Sequence, residues 1–185
     1  MDKLKVVKVY KDAKIPCKPK TNTDAGYDIY AYKVTKIFSH SGSNSERCLE
    51  SEDVNQKLSE TDTYELQCNE RALIDTGIKA TIGEGWELQV RPRSGNALKK
   101  GLTVCNTTGT IDPEYRGTIG VILLNTSRKV QTFKLGDAIA QLVPSKIYDL
   151  EVEVIDKLDD TIRNSDGYGS TDNKVSDETK DKSEE

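Results

Sequence analysis

The side chains that could do chemistry in this chain are carboxylates, arginines and lysines, because the residues of most familiar catalytic centres are scarce. There is one histidine, His40, and it lies in an acidic, low-complexity stretch. The four cysteines, at positions 17, 48, 68 and 105, form no CxxC pair, which argues against a zinc site or a disulfide framework and favours a reducing compartment. A multi-histidine metal centre is excluded, and a Ser-His-Asp or Cys-His arrangement would require His40 to leave that stretch. Catalysis must therefore use carboxylates, backbone amides and cations.

Five short segments combine these residue types with glycine, serine and threonine. In chain order they are DAGYDI (24–29), RPRSG (91–95), NTTGTIDPEYRG (106–117), GDAIAQLV (136–143) and an arginine followed by GYGST (163–171). Any one of them alone is explained by an ordinary turn, a helix cap or a flexible linker. Their meaning depends on their occurring together and in this order.

The second of these segments leads directly into a predicted helix. Residues 94–101 have a capping-type start, good helix formers and a terminal glycine. The strand before them ends in Arg91, Pro92 and Arg93, so the free amides of the first helical turn follow an arginine. We expect this junction to bind an anion.

The elements that must position the five segments are strands. Apolar and polar residues alternate over 4–10, 86–90 and 150–154, which predicts strands buried on one face. Residues 119–124 and 138–143 are continuously apolar and predict fully buried strands. Glycine and proline separate these runs at short intervals. The pattern predicts an all-β sandwich, jelly roll or barrel with one short helix.

Taken together, the five segments resemble the five motifs of the homotrimeric dUTPase family. The resemblance covers the chain except residues 38–63 and 172–185. It implies an all-β, jelly-roll-like dUTPase fold with one short helix, assembled as a homotrimer with sites at subunit interfaces. It also implies hydrolysis of dUTP to dUMP and pyrophosphate with Mg²⁺, which limits uracil incorporation into DNA and supplies dUMP for thymidylate synthesis.

The resemblance assigns the third motif to the nucleoside and to catalysis. Asp112 is expected to be the general base that holds the attacking water. Tyr115 is expected to lie under the sugar, where a ribose 2′-hydroxyl would collide with it. A tight pocket of backbone groups can reject thymine by its methyl group and cytosine by mismatched donors. The residues expected to read uracil in this way are Asn106, Gly109, Thr110 and Ile111.

The other motifs are implied to bind phosphates and metal. Asp28 is expected to steady Mg²⁺ through water, and no carboxylate cluster is needed because magnesium binds mainly through substrate phosphates. Tyr168 is expected to stack on uracil when the C-terminal arm of one subunit closes over a neighbour's site. The residues expected to bind phosphates are Arg93, Ser94, Gly95, Gln141, Arg163, Gly169, Ser170 and Thr171.

The chain departs from the family pattern in the fourth and fifth motifs. Ala138 stands where arginine is usual, which removes a cation and a structural salt bridge. Asn164 and Asp166 stand where glycines are usual, Tyr168 replaces phenylalanine, and Asp172 replaces glycine. Asp166 places an acid near a polyphosphate. The proposed base and the phosphate-binding arginines are retained, so activity is expected.

Composition divides the chain into a β-domain and two acidic pieces. The 185 residues are 35% hydrophobic and 31% charged, which is typical of a globular chain. Residues 38–63 carry a net charge of -4 and residues 172–185 a net charge of -3, leaving +3 for the remainder, which suits a small anion better than a nucleic acid duplex. We predict a β-domain over 1–162 containing a solvated, disordered insertion at 38–63 with one helical turn near 54–58. A C-terminal arm at 163–171 and a disordered acidic tail at 172–185 follow.

The N-terminus is too charged for a signal peptide, and no stretch is long and apolar enough for a membrane span. We expect a cytoplasmic protein, with a nuclear location open for a eukaryotic source, whose partners include dUTP but neither membrane nor nucleic acid. Two alternatives stay open. A dCTP deaminase would share the fold and nucleotide site, although Tyr115 and the GYGST arm favour the dUTPase. A regulatory protein could use the scaffold without turnover, and the insertion 38–63, for which an unknown protein partner is open, is the only sequence feature in its favour.

Overall fold

Short strands make up almost all of the regular structure in this computed structural model, which describes residues 2–41, 48–61, 63–162, 164 and 165. The chain divides into two units, Met1–Tyr148 and Asp149–Glu185. Thirteen strands and one helix lie in the described part of the first unit, whereas the described residues of the second unit form neither. No helix in the described ranges has the length and apolar character needed to cross a bilayer.

The strands of the first unit form two larger and two smaller antiparallel sheets. The larger sheets have the orders β10-β8-β13-β2 and β4-β3-β6-β11-β9, and the smaller ones pair β1 with β7 and β12 with β5. The elements are β1 Lys5–Lys8, β2 Tyr27–Tyr30, β3 Lys33–Ser41, β4 Cys48–Lys57, β5 Tyr64–Leu66, β6 Arg71–Asp75, β7 Ile78–Thr81, β8 Trp86–Pro92, α1 Ser94–Lys100, β9 Leu102–Val104, β10 Gly109–Ile111, β11 Gly120–Asn125, β12 Gln131–Phe133 and β13 Ala138–Lys146.

Apolar residues from both larger sheets form one core. Ile29 and Leu142 come from the four-stranded sheet, Ile74 and Leu123 from the five-stranded sheet, and all four are completely buried. The described strands form no closed barrel, and the all-β, jelly-roll-like prediction is confirmed. The strands predicted over 4–10 and 86–90 are present as β1 and β8.

The predicted helix is present, but its start differs from the prediction. Arg93 is the N-cap, with an extended backbone (φ -87°, ψ 129°), and no side chain caps the helix. Ser94 is the first helical residue, so the expected capping-type start is wrong. The helix ends as predicted at Gly101, whose left-handed φ of 66° lets its N–H reach the Ala97 carbonyl at 3.1 Å.

Strand β11 is buried on one face only, although its apolar run predicts full burial. Val121 and Leu123 are completely buried, whereas Ile122 between them is partly exposed. The side of the strand that carries Ile122 lines a cavity. The prediction is wrong because a surface cavity, like a core, can be walled by apolar residues.

The segment 38–63 also differs from expectation, since its described residues extend a sheet. Strands β3 and β4 pair from Lys33 opposite Lys57 to Ser41 opposite Cys48, and β4 forms the edge of the five-stranded sheet. Leu58 follows β4 and is 4% exposed. The expected disorder and helical turn are wrong there, because pairing with β3 supplies backbone hydrogen bonds that a solvated loop would take from water. Residues 42–47 and 62 lie outside the described residues.

An ion pair fastens the base of this hairpin to the N-terminal segment. Lys57 Nζ lies 2.8 Å from Asp12 Oδ2, and the Tyr32 hydroxyl donates to Asp12 Oδ1 at 2.8 Å. These two hydrogen bonds lower the pKa of Asp12 to about 2, and the one from Lys57 has the larger effect. The carboxylate is therefore charged at neutral pH.

The turn between β6 and β7 packs against the same N-terminal segment. Gly77 has a left-handed φ of +73°, and a Cβ added there would lie 2.8 Å from the Ala13 Cβ. Above it, the rings of Tyr10 and Tyr32 stack with centroids 4.5 Å apart. Glycine is required both by the backbone conformation and by the close approach of Ala13.

The strand predicted over 150–154 is absent. Leu150, Val152 and Val154 are 79%, 87% and 94% exposed, and these residues belong to no sheet. The prediction is wrong for the isolated chain because an alternating segment becomes a half-buried strand only when a partner surface covers its apolar side.

Candidate active site

A cavity of about 400 Å³ gathers most of the third-motif residues. Strand β10 forms one wall, because its pairing with β8 places Gly109 opposite Val90 and Ile111 opposite Leu88. The cavity-lining residues predicted from the sequence are Asn106, Thr110, Ile111, Asp112 and Tyr115. Gly109 is buried beneath them, and a Cβ there would lie 3.1 Å from Asn106 Nδ2.

The turn after β10 presents Asp112 to this cavity. The Asp112 carbonyl accepts the Tyr115 N–H at 3.1 Å, and the Thr81 hydroxyl donates to the Pro113 carbonyl at 2.9 Å, so the turn is anchored from both sides. The Asp112 carboxylate is exposed and makes no hydrogen bond to any described residue. Its oxygens are therefore available to accept a hydrogen bond from water.

Tyr115 forms an adjoining wall of the cavity. Its hydroxyl donates to the Thr118 carbonyl at 3.0 Å, and its side chain is 44% exposed. The ring lies directly against Gly117, where any Cβ would overlap the Tyr115 hydroxyl. Glycine at 117 is thus what allows the ring to lie where it does.

A second group of predicted residues forms a hydrogen-bonded cluster made of Asp28, Arg93 and Gln141. Asp28 Oδ1 accepts hydrogen bonds from Arg93 Nε at 3.1 Å and Gln141 Nε2 at 2.9 Å, while Oδ2 accepts from Arg93 Nη2 at 3.0 Å. The β2–β13 register places Gln141 directly opposite Asp28. Asp28 is 5% exposed, and the bidentate guanidinium supplies the hydrogen bonds that a buried carboxylate cannot take from water.

Tyr30 lies two residues further along β2, on the same side of the strand as Asp28. Burial raises the pKa of Tyr30 above its ordinary value, and the hydrogen bond between its hydroxyl and the Cys17 thiol at 2.7 Å raises that pKa further. Tyr30 therefore stays protonated and adds no negative charge to this region.

The backbone carbonyl of Ala138 completes the cluster. It accepts hydrogen bonds from Arg93 Nη1 at 3.3 Å and from Asn96 Nδ2 at 3.2 Å. An arginine side chain at 138 is thus not needed to hold Arg93. By helix geometry the amides before Ala97, including those of Ser94 and Gly95, have no acceptor within α1, and both residues are exposed.

The described residues contain no group of three or more histidine, cysteine, aspartate or glutamate side chains arranged to hold a metal. The Asp28 carboxylate already accepts three hydrogen bonds, two from Arg93 and one from Gln141. This donor set fits a Mg²⁺ ion held mainly by substrate phosphates and water, which is the usual arrangement for magnesium with nucleotides. It does not fit an ion held by protein side chains alone.

The predicted arm residues Arg163, Tyr168, Gly169, Ser170 and Thr171 lie outside the described residues, as does Asp166. Asn164, one of the departures from the motif, is described. Its φ of 40° is in the left-handed region, and its side-chain oxygen accepts the Thr161 N–H at 2.8 Å. Asparagine is the residue that best replaces glycine in this conformation, which explains why it is tolerated here.

Some cavity-lining residues were missed by reasoning from the sequence. Strand pairing brings most of them to the cavity, and the continuous apolar run of β11 gives no sign that one of its faces lines a cavity. They are Thr35, Leu73, Asp75, Thr118, Gly120 and Ile122.

The structure brings the predicted residues together in two places rather than one. Asp112 follows the Ile111–Leu88 pair, whereas Arg93 lies at the far end of β8. Leu88 and Arg93 are five residue steps apart, which corresponds to about 17 Å at 3.3 Å per residue of strand. The cavity and the Asp28–Arg93–Gln141 cluster are therefore at different places on one chain.

Comparison with known proteins matches the dUTPase family over residues 50–172. A deoxyuridine 5'-triphosphate nucleotidohydrolase of Gloeothece citriformis is 42% identical over 139 residues, covering 75% of this chain and 94% of the relative. The chain belongs to the dUTPase family. A relative of the same name from Picosynechococcus sp. is 54% identical over 100 residues, covering 54% of this chain and 70% of the relative.

Solved dUTPase structures show the same fold. A single-residue mutant of the dUTPase of Staphylococcus bacteriophage 80alpha, solved with dUpNHpp, has a TM-score of 0.66 at 23% identity and covers 92% of this chain and 99% of its own. The dUTPase from phage phi11 of S. aureus, described with a species-specific insert, has a TM-score of 0.62 at 22% identity and covers 86% of this chain and 100% of its own. Another phi11 dUTPase structure is described with a structural Mg(II) ion.

Proposed function

We propose that this dUTPase hydrolyses dUTP to dUMP and pyrophosphate, limiting uracil incorporation into DNA and supplying dUMP for thymidylate synthesis. The observation that carries the proposal is the cavity in which Asn106, Thr110, Ile111, Asp112 and Tyr115 meet. It combines a backbone edge that can read a pyrimidine, an aromatic wall for a sugar, and a carboxylate free to hold water.

In the proposed mechanism Asp112 orients one water and accepts its proton as the water oxygen bonds to phosphorus. The anhydride bond between the α- and β-phosphates breaks, and pyrophosphate leaves with the bonding electron pair. Orientation of the water by a positioned base supplies much of the rate increase. Tyr115 closes the sugar side of the cavity and excludes a 2′-hydroxyl.

The Asp28–Arg93–Gln141 cluster and the amides of Ser94 and Gly95 are proposed to bind the phosphates. The carboxylate already fixes the Arg93 guanidinium by two hydrogen bonds, so little side-chain entropy is lost when phosphate arrives. Mg²⁺ bound to the triphosphate would neutralise charge on the leaving group, with Asp28 contacting it through water. The arm residues Arg163, Tyr168, Gly169, Ser170 and Thr171 are proposed to close over uracil and the terminal phosphate.

The separation of the two groups supports a homotrimer with sites between subunits. The α-phosphate follows the sugar directly, so groups that bind it must lie within hydrogen-bond reach of the cavity. On one chain the cluster is about 17 Å from Asp112 along β8. A cavity from one copy and a cluster from another would form one complete site.

One assay tests the proposed reaction and its nearest rival. Pyrophosphate and ammonia release are measured in parallel with each deoxynucleoside triphosphate, with and without EDTA. We expect pyrophosphate release from dUTP and from no other deoxynucleoside triphosphate. EDTA should abolish this release, and added Mg²⁺ should restore it. Ammonia from dCTP would instead identify a deaminase.

We further propose a cytoplasmic location. A protein partner of 38–63 stays a prediction.

A further inference from the structure

The Asp28–Arg93–Gln141 cluster carries no net charge. Its one cation, Arg93, is paired with the Asp28 carboxylate at 3.0 Å, and the Gln141 amide is neutral. A triphosphate carries several negative charges, and it gains little Coulomb energy from a neutral cluster. Attraction for the phosphates therefore has to come from cations that lie beside the cluster.

Arg91 is a cation that the sheet places next to this cluster. The β8–β13 register puts Arg91 directly opposite Gln141, which is itself opposite Asp28 on β2. Residues that are directly opposite share one face of a sheet, with Cβ atoms about 4.5–5.5 Å apart. Asp28, Gln141 and Arg91 thus form a row across three strands. Because Arg91 is exposed, its long side chain can reach a phosphate that contacts Gln141.

The guanidinium of Arg91 is held by an amide and not by a carboxylate. Arg91 Nε donates to Gln89 Oε1 at 2.9 Å, and Arg91 Nη2 donates to the same oxygen. Gln89 Nε2 donates to Glu87 Oε1 at 2.6 Å, which directs the amide oxygen towards the arginine. Within the described ranges, Arg91 Nη1 has no acceptor and Arg91 makes no ion pair. The positive charge of Arg91 is therefore oriented but uncompensated.

We propose that Arg91 is a further phosphate-binding residue, which donates to the phosphate chain of the nucleotide through the N–H groups of its unused Nη1. The inference rests on the proposed function, in which the cluster of one copy completes the cavity of another. The charge of Arg93 is already balanced by Asp28, whereas Arg91 can bind phosphate and keep its hydrogen bonds to Gln89. Because Gln89 already holds the guanidinium, little side-chain entropy is lost when phosphate binds.

Binding of a triphosphate and of the bare nucleoside tests this inference. The full chain with Arg91→Gln is titrated with the non-hydrolysable analogue dUpNHpp and Mg²⁺ by calorimetry, and with deoxyuridine by ligand-observed NMR. We expect dUpNHpp to bind roughly tenfold or more weakly than to the parent, the change expected when a charge-assisted hydrogen bond is lost. Deoxyuridine should bind as it does to the parent. Unchanged binding of dUpNHpp, or an equal loss for both ligands, would overturn the proposal.

Two further variants separate a direct contact from an effect of overall charge. Arg128→Gln removes an exposed arginine between β11 and β12 and should leave dUpNHpp binding unchanged. A loss equal to that of Arg91→Gln would reduce the effect to net charge and contradict the inference. Arg91→Lys keeps the cation and should recover part of the affinity, so the absence of any recovery would contradict it as well.

Sedimentation compares the mass of each variant with that of the parent. A lower mass for Arg91→Gln would make Arg91 a residue of assembly and overturn its assignment to phosphate, whereas an equal mass is expected. Pyrophosphate release from dUTP by the parent reports separately on the proposed function. A parent that releases pyrophosphate while Arg91→Gln binds dUpNHpp normally would disprove this inference alone.

Discussion

At the scale of single residues, the catalytic proposal depends on one carboxylate that has no hydrogen-bond partner in the part of the chain that the structure describes. Asp112 accepts no hydrogen bond from the described residues, unlike Asp28, whose oxygens are held by Arg93 and Gln141. A carboxylate whose oxygens already accept hydrogen bonds from a guanidinium and an amide has less capacity left to hold a water than one without such partners. The two aspartates are therefore suited to different tasks.

Asp112→Asn should leave dUTP affinity nearly unchanged and lower turnover by roughly 10²–10⁴, the usual contribution of a positioned base. The amide keeps the shape of the side chain but cannot accept a proton. Single-turnover pyrophosphate release and equilibrium binding of a non-hydrolysable analogue separate the two effects. Glu114→Gln, an exposed carboxylate in the same turn, is the control and should stay close to the parent. A turnover within about twofold of the parent for Asp112→Asn would rule out the assignment.

Tyr115→Ala should relax the choice of sugar. Removing the ring opens the side of the cavity where a ribose 2′-hydroxyl would otherwise collide, so kcat/KM for UTP should rise relative to that for dUTP. Tyr115→Phe keeps the ring and should keep the selectivity. If UTP is as poor a substrate for the alanine variant as for the parent, the steric role is incorrect.

At the scale of elements, the local rules of strand and turn account for most of what the sequence could predict. Alternation of apolar and polar residues predicts strands β1 and β8, and Gly101 predicts the end of helix α1. Both are short-range signals. The β4 edge strand does not, because its residues are polar and its order comes from pairing with β3. The prediction of a strand at 150–154 is wrong for the opposite reason. The segment has the alternation of a strand, but the isolated chain provides no surface to cover its apolar side.

The same distinction applies to the candidate site. The Asp28 and Gln141 side chains meet because β2 and β13 pair in one register, which no local pattern reveals. Asp75 and Thr35 reach the cavity from strands whose sequence carries only a face preference. The motif residues were recognisable from their types and order, whereas their division into two places needed the sheet order.

Gly77→Ala should destabilise the first unit through the β6–β7 turn. The left-handed backbone contributes about 1–2 kcal/mol, and overlap with Ala13 contributes about 1–3 kcal/mol more. Gly85→Ala is the matched control, because its φ is +74° but no atom lies within 4 Å of the added Cβ. Denaturant unfolding of both variants measures the two terms. Equal losses of stability would show that the contact with Ala13 has no effect.

The proposed arm can be tested as an element by truncation. A chain ending at Thr161 should keep its fold and still assemble as the proposed trimer but lose most turnover, because closure orients the phosphates and excludes water. A chain ending at Thr171 lacks only the acidic tail and should behave like the full chain. Pyrophosphate release is compared after circular dichroism has verified folding. Full activity of the shorter chain would mean that the motif has no catalytic role here.

At the scale of the whole molecule, sites shared between copies predict complementation. Asp112→Asn and Arg93→Ala chains should each be inactive alone. If the cavity and the cluster of one site come from different copies, an equal mixture assembled together should recover about a quarter of the parent activity, since a quarter of sites then combine two intact parts. The mixture is prepared by co-refolding and assayed against each variant alone. No recovery would place the complete site within one chain.

Because Tyr115 contacts Gly117, a mutation at the glycine is expected to abolish the proposed selectivity for deoxyribose. The ring occupies space that any side chain at 117 would fill, so a single codon change at this glycine would displace the ring without altering a residue that touches nucleotide. A search for chains that accept ribonucleotides should therefore recover substitutions at both positions. The genetic target for sugar choice is larger than the set of residues that contact the sugar.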